Sequence, residues 1–338
     1  MKEAITFDDV LIVPKFSDVR SRKNCNLKTT IQCGDGVEFT LDIPIIAANM
    51  DTITETKMAM KMADLGGLGI LHRNMPISQL DKAFKEVYEP KTRAPVVAVG
   101  GVHTDKERID WLMDNHALIC VDIAHGHSQN MKETLEYITS KQHLPIIAGN
   151  VCTAKGVQDL HAWGASIVKV GVGSGSVCTT RIKTGCGFPQ LQAILDIVEQ
   201  TGGNIPIIAD GGIRTPGDAV KCLAAGANFV MLGGMLAATD CTPHWVNYAG
   251  DIDLSFRGMA SEAAKGHKTH VEGELVLIKA KCEGSTEAVI NDICDGIRSA
   301  MSYVGAHDLR GLWCKSDFVR VTNAVHIENQ PHKVYDVE

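Results

Sequence analysis

No apolar run in this 338-residue chain is long enough to cross a membrane. The opening MKEAITFDDVLIVP places Glu3, Asp8 and Asp9 where a secretory signal needs a basic start and an apolar centre. A cytoplasmic protein is therefore expected. Positive charge is also short: 33 Lys and Arg stand against 40 Asp and Glu, for a net −7 and a pI of about 6.0. That excludes a global attraction to nucleic acid or anionic membrane. An anionic substrate must then be held locally, by backbone amides and a few cations. Aromatic residues are scarce at 5%, yet 45% of the chain is apolar, which suffices for a sizeable core. There are 11 cysteines but no C-x-x-C pair. The odd, scattered set from Cys25 to Cys314 argues against a disulfide framework and a structural zinc site. Most are expected to be buried thiols that act as small apolar residues. His72, His125 and His127 lack H-x-x-x-H spacing, so no catalytic metal is expected there. No Pro/Gly/Ser-rich linker breaks the chain, which predicts a single domain over residues 1–338.

What is present is a repeat. Eight short apolar runs recur: Ile43–Met50, Gly67–His72, Ala94–Gly101, Ala117–Ala124, Leu144–Val151, Ser166–Gly173, Ile205–Gly212 and Asn228–Met235. Three read almost alike, as IPIIAAN, LPIIAGN and IPIIADG. Continuous apolar runs of this length suit parallel strands buried on both faces. Amphipathic stretches such as Glu55–Leu65, Asp105–Asn115, Gln129–Lys141, Ala154–Trp163 and Gly217–Ala225 lie between them. Eight βα units in about 200 residues predict an α/β fold of the (β/α)8 TIM-barrel type, with an open doubly wound sheet as the alternative. Residues 239–284 read as a weakly patterned insertion after the eighth strand, of the kind that forms a flap, and Glu287–Val304 as a closing helix.

A barrel of this kind carries its chemistry at the C-terminal ends of its strands. Here those ends hold Asn49, Asp51, His72, Asp122, Asn150, Asp210 and a set of glycines. The densest signal is VKVGVGSGSVCTTRIKTGCG, Val168–Gly187. Its glycines permit positive φ and close approach of backbone to a ligand. Cys178, in a flexible loop over the barrel mouth, is a candidate nucleophile. Cys186 lies in the same loop, and the loop alone does not decide between them. Asp210-Gly211-Gly212 and Gly233-Gly234 end the seventh and eighth runs, where barrels often hold a phosphate on backbone amides. Asp210 suits the two hydroxyls of a ribose, or simply a turn. Glu272, taken alone, reads as a surface carboxylate.

Across nearly its full length the chain resembles the IMP dehydrogenase/GMP reductase family. The matching segments are TFDDVLIVP (Thr6–Pro14), IPIIAANMDT (Ile43–Thr52), DIAHGHS (Asp122–Ser128), IAGNV (Ile147–Val151), GSGSVCTTR (Gly173–Arg181), IADGGIRTPGD (Ile208–Asp218), VMLGGMLA (Val230–Ala237) and SYVGA (Ser302–Ala306). The resemblance implies a tetrameric barrel that holds a purine nucleotide by its phosphate. It makes Cys178 the thiol that attacks purine C2. The family has two activities: oxidation of IMP by NAD and water to XMP, and reduction of GMP by NADPH to IMP and ammonia. Three features point to the reductive one. The regulatory insertion of most dehydrogenases is missing, since Pro76–Ala94 leads straight into the third run. The stretch GMASEAAKGHKTHVEG, ending at Gly273, lacks the Arg–Tyr pair of the dehydrogenase flap. The segments CTTRIKTGCGFPQL, LGGMLA and RSAMSYVGA are similar to reductase versions. A dehydrogenase without its regulatory domain is the alternative.

By position, the resemblance gives Thr180 and Glu272 a shared role with Cys178, protonating the departing ammonia. It assigns Asp210, Gly211, Gly212, Gly233, Gly234, Gly258, Met259, Ala260, Glu272 and Gly273 to the nucleotide. Ser21, Arg22, Arg73, Asp122, Ile123, Ala124, Arg298, Ser299 and Ser302 fall around the dinucleotide, some of them reached from a neighbouring subunit. Gly173, Gly175 and Cys178, with Arg181 beside them, match a site for a monovalent cation such as K⁺. Departures from the reductase pattern are Ser174 for proline, Arg73 for lysine, and Lys268, Thr269, His270 and Val271 for Tyr–Arg–Ala–Ser.

Overall fold

The computed structural model describes residues 3–33, 36–87, 95–243, 245–248, 251–266, 269–279, 284–322 and 324–329. All eight apolar runs become strands. They are β1 (Ile45–Ala47), β2 (Leu68–Leu71), β3 (Val96–Val99), β4 (Leu118–Asp122), β5 (Ile146–Val151), β6 (Ile167–Val170), β7 (Ile207–Asp210) and β8 (Phe229–Leu232). Each pairs in parallel with its neighbour, and Val230 of β8 opposite Ile45 of β1 closes the barrel. Side chains of a strand alternate in direction. Ile46, Ile70, Cys120, Ile147, Ile167, Ile208 and Met231 therefore fill the barrel, while Ile45, Leu71, Val121, Ala148, Val168 and Val230 pack outward under the helices. Burial on both faces explains why these runs are apolar without alternation.

The helices are α1 (Thr56–Asp64), α2 (Ile77–Val87), α3 (Val102–Asp114), α4 (Gln129–Thr139), α5 (Ala154–Ala162), α6 (Gln190–Thr201), α7 (Pro216–Ala224) and α8 (Thr286–Val304). Ser128, Thr153, Thr215 and Ser285 start four of them by accepting a hydrogen bond from the amide three residues on. Pro76–Ala94 holds α2, the helix of the second βα unit, and leads on to β3; residues 88–94 lie outside the described residues.

Two additions frame the barrel. The hairpin Thr29–Gln32/Glu38–Leu41 sends Ile31, Phe39 and Leu41 into the inner cluster. Phe39 meets Phe229, the first residue of β8, edge to face at 5.7 Å. The hairpin thus closes the N-terminal end of the barrel and leaves the chemistry to the other end. After β8 the chain forms a three-stranded antiparallel sheet of Trp245–Tyr248, Asp251–Arg257 and Leu275–Lys279. This order was not expected from the sequence, although the central strand DIDLSFR alternates polar and apolar residues as a half-buried strand does. No described helix is long and apolar enough to cross a membrane.

Candidate active site

The floor of the open end follows from strand parity. Cys120, Ile167 and Ile208 point inward, so Asp122, Lys169 and Asp210, two residues further on, also point inward. Lys169 is 1% exposed, and its Nζ lies 2.5 Å from Asp122 Oδ1, 3.3 Å from Asn49 Oδ1 and 3.5 Å from Asp210 Oδ2. Asp210 Oδ2 also accepts from Asn150 Nδ2 at 2.8 Å, and Asn150 donates again to the Gly171 carbonyl at 2.9 Å. Burial pushes the Asp122 carboxyl up, but the Lys169 charge beside it outweighs this and holds it below its ordinary value. The same pairing holds the Lys169 ammonium above its own ordinary value despite burial. Both carboxylates are expected at the strand ends from the sequence, whereas the lysine between them is not.

Above the floor, Cys178 sits half-buried in the turn that follows β6, its amide bonded to the Gly175 carbonyl at 3.1 Å. Its Sγ donates to Thr180 Oγ1 at 3.2 Å, and Thr180 Oγ1 donates to Glu272 Oε2 at 2.7 Å. Thiol, hydroxyl and carboxylate thus stand in series, although Glu272 is 92 residues from Thr180 in sequence. Backbone pairing brings it there. Thr179 N donates to Glu272 O and Glu274 N to Val177 O, both at 2.9 Å. On the other side, Glu272 N donates to Ala260 O and Gly258 N to Glu274 O, both at 3.0 Å. Glycine is needed at this crossing: a Cβ on Gly258 would lie 3.2 Å from the Gly273 Cα, and one on Gly273 3.1 Å from Ser261 N.

Gly258, Met259 and Ala260 hang from Arg257, which grips Asp51 at the mouth of β1. Its Nη2 lies 2.7 Å from Asp51 Oδ2 and its Nε 3.1 Å from Oδ1. Asn74 adds a bond to Asp51 at 3.0 Å and also reaches the Met259 sulfur at 3.9 Å. Burial pushes the Asp51 carboxyl up, but these partners, led by Arg257, hold it below its ordinary value. Nothing in the sequence marked Arg257. Lys268 lies outside the described residues.

Cys186 is exposed, beyond the short helix Thr180–Thr184, and has no place in this series. Five of the ten described cysteines are buried, half rather than the expected majority, while Cys33 and Cys152 are half-buried and Cys314 is exposed. Burial pushes Cys120 up to about 12 and Cys294 up to about 11, which leaves them poor nucleophiles.

The glycine loops converge beside Cys178. Gly211 and Gly212 have φ of +92° and +80°. A Cβ on Gly211 would lie 2.8 Å from Ser174 Oγ and 3.2 Å from Gly175 N, and one on Gly234 3.0 Å from Ser176 Oγ. A Cβ on Gly233 would meet Met50 Sδ at 3.2 Å. The loops after β6 and β7 therefore approach backbone to backbone, and the loop after β8 packs against the Ser176 side chain, a convergence of glycine backbone that can present amides to an anion.

The residues placed around a dinucleotide fall into two groups. Arg73, Asp122, Ile123 and Ala124 follow β2 and β4 at the mouth. Arg73 Nε is buried with no hydrogen-bond partner, and the guanidinium lies against Gly100, where a Cβ would be 2.5 Å from Nη1. Ser21, Arg22, Arg298, Ser299 and Ser302 form a second group where the turn Arg22–Asn24 packs on α8. There Arg22 Nη2 donates to Tyr303 Oη at 3.4 Å and Ser302 Oγ to Ser299 O at 2.7 Å. The candidate cation loop turns at Gly173, φ +75°, against the Arg181 side chain, whose Nη2 donates to the Phe188 carbonyl at 2.6 Å. Among the described residues, no group of three or more His, Cys, Asp or Glu side chains is placed to hold a metal ion. His72 faces Glu55 at 3.4 Å, and His127 faces Asp159 at 2.9 Å.

A closed (β/α)8 barrel whose mouth aligns a thiol, a hydroxyl and a carboxylate beside glycine-walled loops defines a class of barrel oxidoreductases. Residues 4–332 match the profile of the IMP dehydrogenase / GMP reductase domain, and the chain belongs to that family. It is 38% identical to the GMP reductase of Yersinia enterocolitica over 93% of this chain and 94% of that protein. It is likewise 38% identical to GMP reductase 1 of Mus musculus, over 94% of this chain and 95% of that one. To the inosine-5'-monophosphate dehydrogenase of Nitrosopumilus maritimus it is 32% identical over 98% of this chain and 99% of the relative.

Proposed function

We propose that this chain catalyses NADPH-dependent reductive deamination of GMP to IMP and ammonia. The observation that carries the reading is the series Cys178–Thr180–Glu272. Cys178 adds its sulfur to purine C2 as its proton passes through Thr180 to Glu272. The 2-amino group then leaves as ammonia, taking that proton back from Glu272 through Thr180, which leaves C2 bound to sulfur as a thioimidate. The dinucleotide, when bound, supplies the hydride that C2 accepts. Breaking the C–S bond returns the Cys178 thiolate and releases IMP. In balance, GMP, NADPH and two protons give IMP, NADP⁺ and ammonium.

Asp210 binds the ribose hydroxyls in this reading, and Gly211, Gly212, Gly233 and Gly234 bind the phosphate. Gly258, Met259, Ala260, Glu272 and Gly273 border the base. Arg73, with its unpartnered buried Nε, fits an anionic dinucleotide and works beside Asp122, Ile123 and Ala124. The second group, Ser21, Arg22, Arg298, Ser299 and Ser302, completes that subsite from a neighbour in a homotetramer. The carbonyls of Gly173, Gly175 and Cys178 are neutral hard oxygens suited to K⁺, with Arg181 bracing the turn. We further read the chain as a single domain without the regulatory insertion, because the archaeal dehydrogenase carries internal positions that this chain lacks. The alignment to the archaeal dehydrogenase spans 476 positions against 338 residues here.

The dehydrogenase is the competing reading, favoured by Ser174 in the loop. Product analysis decides between them: GMP with NADPH should give IMP and ammonia. Rapid NADH formation from IMP and NAD, without the reductive reaction, would overturn the proposal.

A further inference from the structure

Lys169 is the most deeply buried cation at the open end, and the chemistry proposed above gives it no task. It rises from β6 between a carboxylate of β4 and one of β7. On the reading above, Asp122 serves the dinucleotide and Asp210 the nucleotide, so Lys169 stands between the two halves of the reaction. We propose that Lys169 is a positioning residue: as their shared counter-ion it holds the Asp122 and Asp210 carboxylates in place together, at 2.5 and 3.5 Å, in the floor of the site.

The surroundings support one cation for two carboxylates. Asn49 Oδ1 offers Nζ a neutral acceptor at 3.3 Å, and Asn150 donates to Asp210 from the far side. The other charged or titratable groups facing this cluster are Arg73, which acts on Asp122, and the Cys120 thiol one layer below on β4. The Arg73 guanidinium lies against Gly100, after β3, whereas Asp210 takes its bonds from Asn150 and Lys169. Without Lys169, Asp122 and Asp210 would lose the cation that lies between them, and the Asp122 carboxyl would rise.

This rests on the assignment of Asp122 and Asp210 to the two ligands, and the test separates the two claims. Lys169→Met keeps the length and removes the charge, while Lys169→Arg keeps the charge. In wild type an ionised Asp122 is required, and its lowered pKa places the acidic limb of the activity profile at low pH. Removing the cation raises that pKa, so activity is lost at a higher pH as the solution is acidified. The acidic limb of kcat/KM for NADPH should move up by about 1–3 pH units in Lys169→Met. In Lys169→Arg it should stay at the wild-type position even if packing lowers the overall rate. The double variant Lys169→Met with Asp122→Asn lacks the required carboxylate, should be inactive at every pH, and serves as the folding control. An unmoved limb in Lys169→Met, or equal shifts in the Met and Arg variants, overturns the proposal.

A second readout needs no turnover. The wild-type melting temperature, followed from pH 7 downward without ligand, includes a stabilisation from Asp122 that disappears as pH falls through its folded pKa. The deficit of Lys169→Met against wild type should therefore be full near neutral pH and shrink in acid. A deficit constant with pH refutes the counter-ion role, even for a protein that acts on another nucleotide. If Lys169→Met does not fold, the double variant must fold better than it does. Failure of both, with Lys169→Arg also unfolded, would mark the lysine as a packing residue and refute the proposal.

Discussion

Glu272→Gln tests the relay most directly, because the structure confines the change to one function. Residue 272 is placed by its backbone, through Ala260 O and Thr179 N, and glutamine keeps both bonds. Its amide oxygen can still accept from Thr180 Oγ1 across the present 2.7 Å. What the amide lacks is a proton to give. General acid–base help of this kind is worth roughly 10²–10⁴ in rate, or about 3–5 kcal/mol of barrier at about 1.4 kcal/mol per decade. GMP affinity should change by less than about threefold, or roughly 0.6 kcal/mol. The assay is single-turnover ammonia release, with GMP affinity measured separately by titration without dinucleotide. Thr180→Val should slow the same step. Combining the two should cost little more than either alone, since both interrupt one path. If affinity and rate fell by the same factor, or the two losses multiplied, Glu272 would be a structural prop and the proposed relay would be wrong.

Three further outcomes follow from the geometry. Cys178→Ala should abolish GMP-dependent NADPH oxidation while Cys186→Ala keeps most of it, and the reverse result would move the nucleophile to the exposed loop. Arg257→Met strands Asp51, which is 2% exposed, with Asn74 as its main remaining partner. It should lower stability by about 2–3 kcal/mol, below the full cost for a wholly buried pair because Arg257 is partly exposed. Asp51 has a lowered folded pKa, so that deficit should be full at pH 7 and shrink as pH falls below about 4; paired melts at both pH values check it. Gly211→Ala puts a Cβ at φ +92° and 2.8 Å from Ser174 Oγ. Left-handed strain alone is roughly 1–2 kcal/mol, and displaced loop amides should weaken GMP binding about tenfold or more, measured by titration.

The barrel was legible because its physics is local. Each strand is buried on both faces, and all eight apolar runs announced this within a few residues. The insertion sheet was legible only at its centre. Asp251–Arg257 reads DIDLSFR, a strict polar–apolar alternation that marks a half-buried strand, with Leu254 and Phe256 on the buried face, but the two strands that pair with it carry no such pattern. In the site, Cys178 and Asp210 could be suspected from glycine context alone. Glu272 looked like a surface carboxylate until backbone pairing placed it beside Thr180. The Arg257–Asp51 grip joins residues 206 apart, and while Asp51 sits in the segment Ile43–Thr52, nothing local marks Arg257 as its partner. Lys169 was the avoidable omission. A charged residue inside VKV, in register with Asp122 and Asp210 by strand parity, is a signal that a count of inward-facing positions would have caught.

The attachment of residue 272 has a consequence beyond this reaction. Its backbone is held by main-chain partners, Thr179 N and Ala260 O, and that of Glu274 two residues on by Val177 O and Gly258 N. Main-chain bonds are indifferent to the side chain they carry. The position is therefore a socket: an acid, an amide or another group can be mounted there without rebuilding its supports, while the thiol on the opposite loop stays where it is. A fold wired this way can keep its first covalent step and exchange the group that decides what the intermediate becomes.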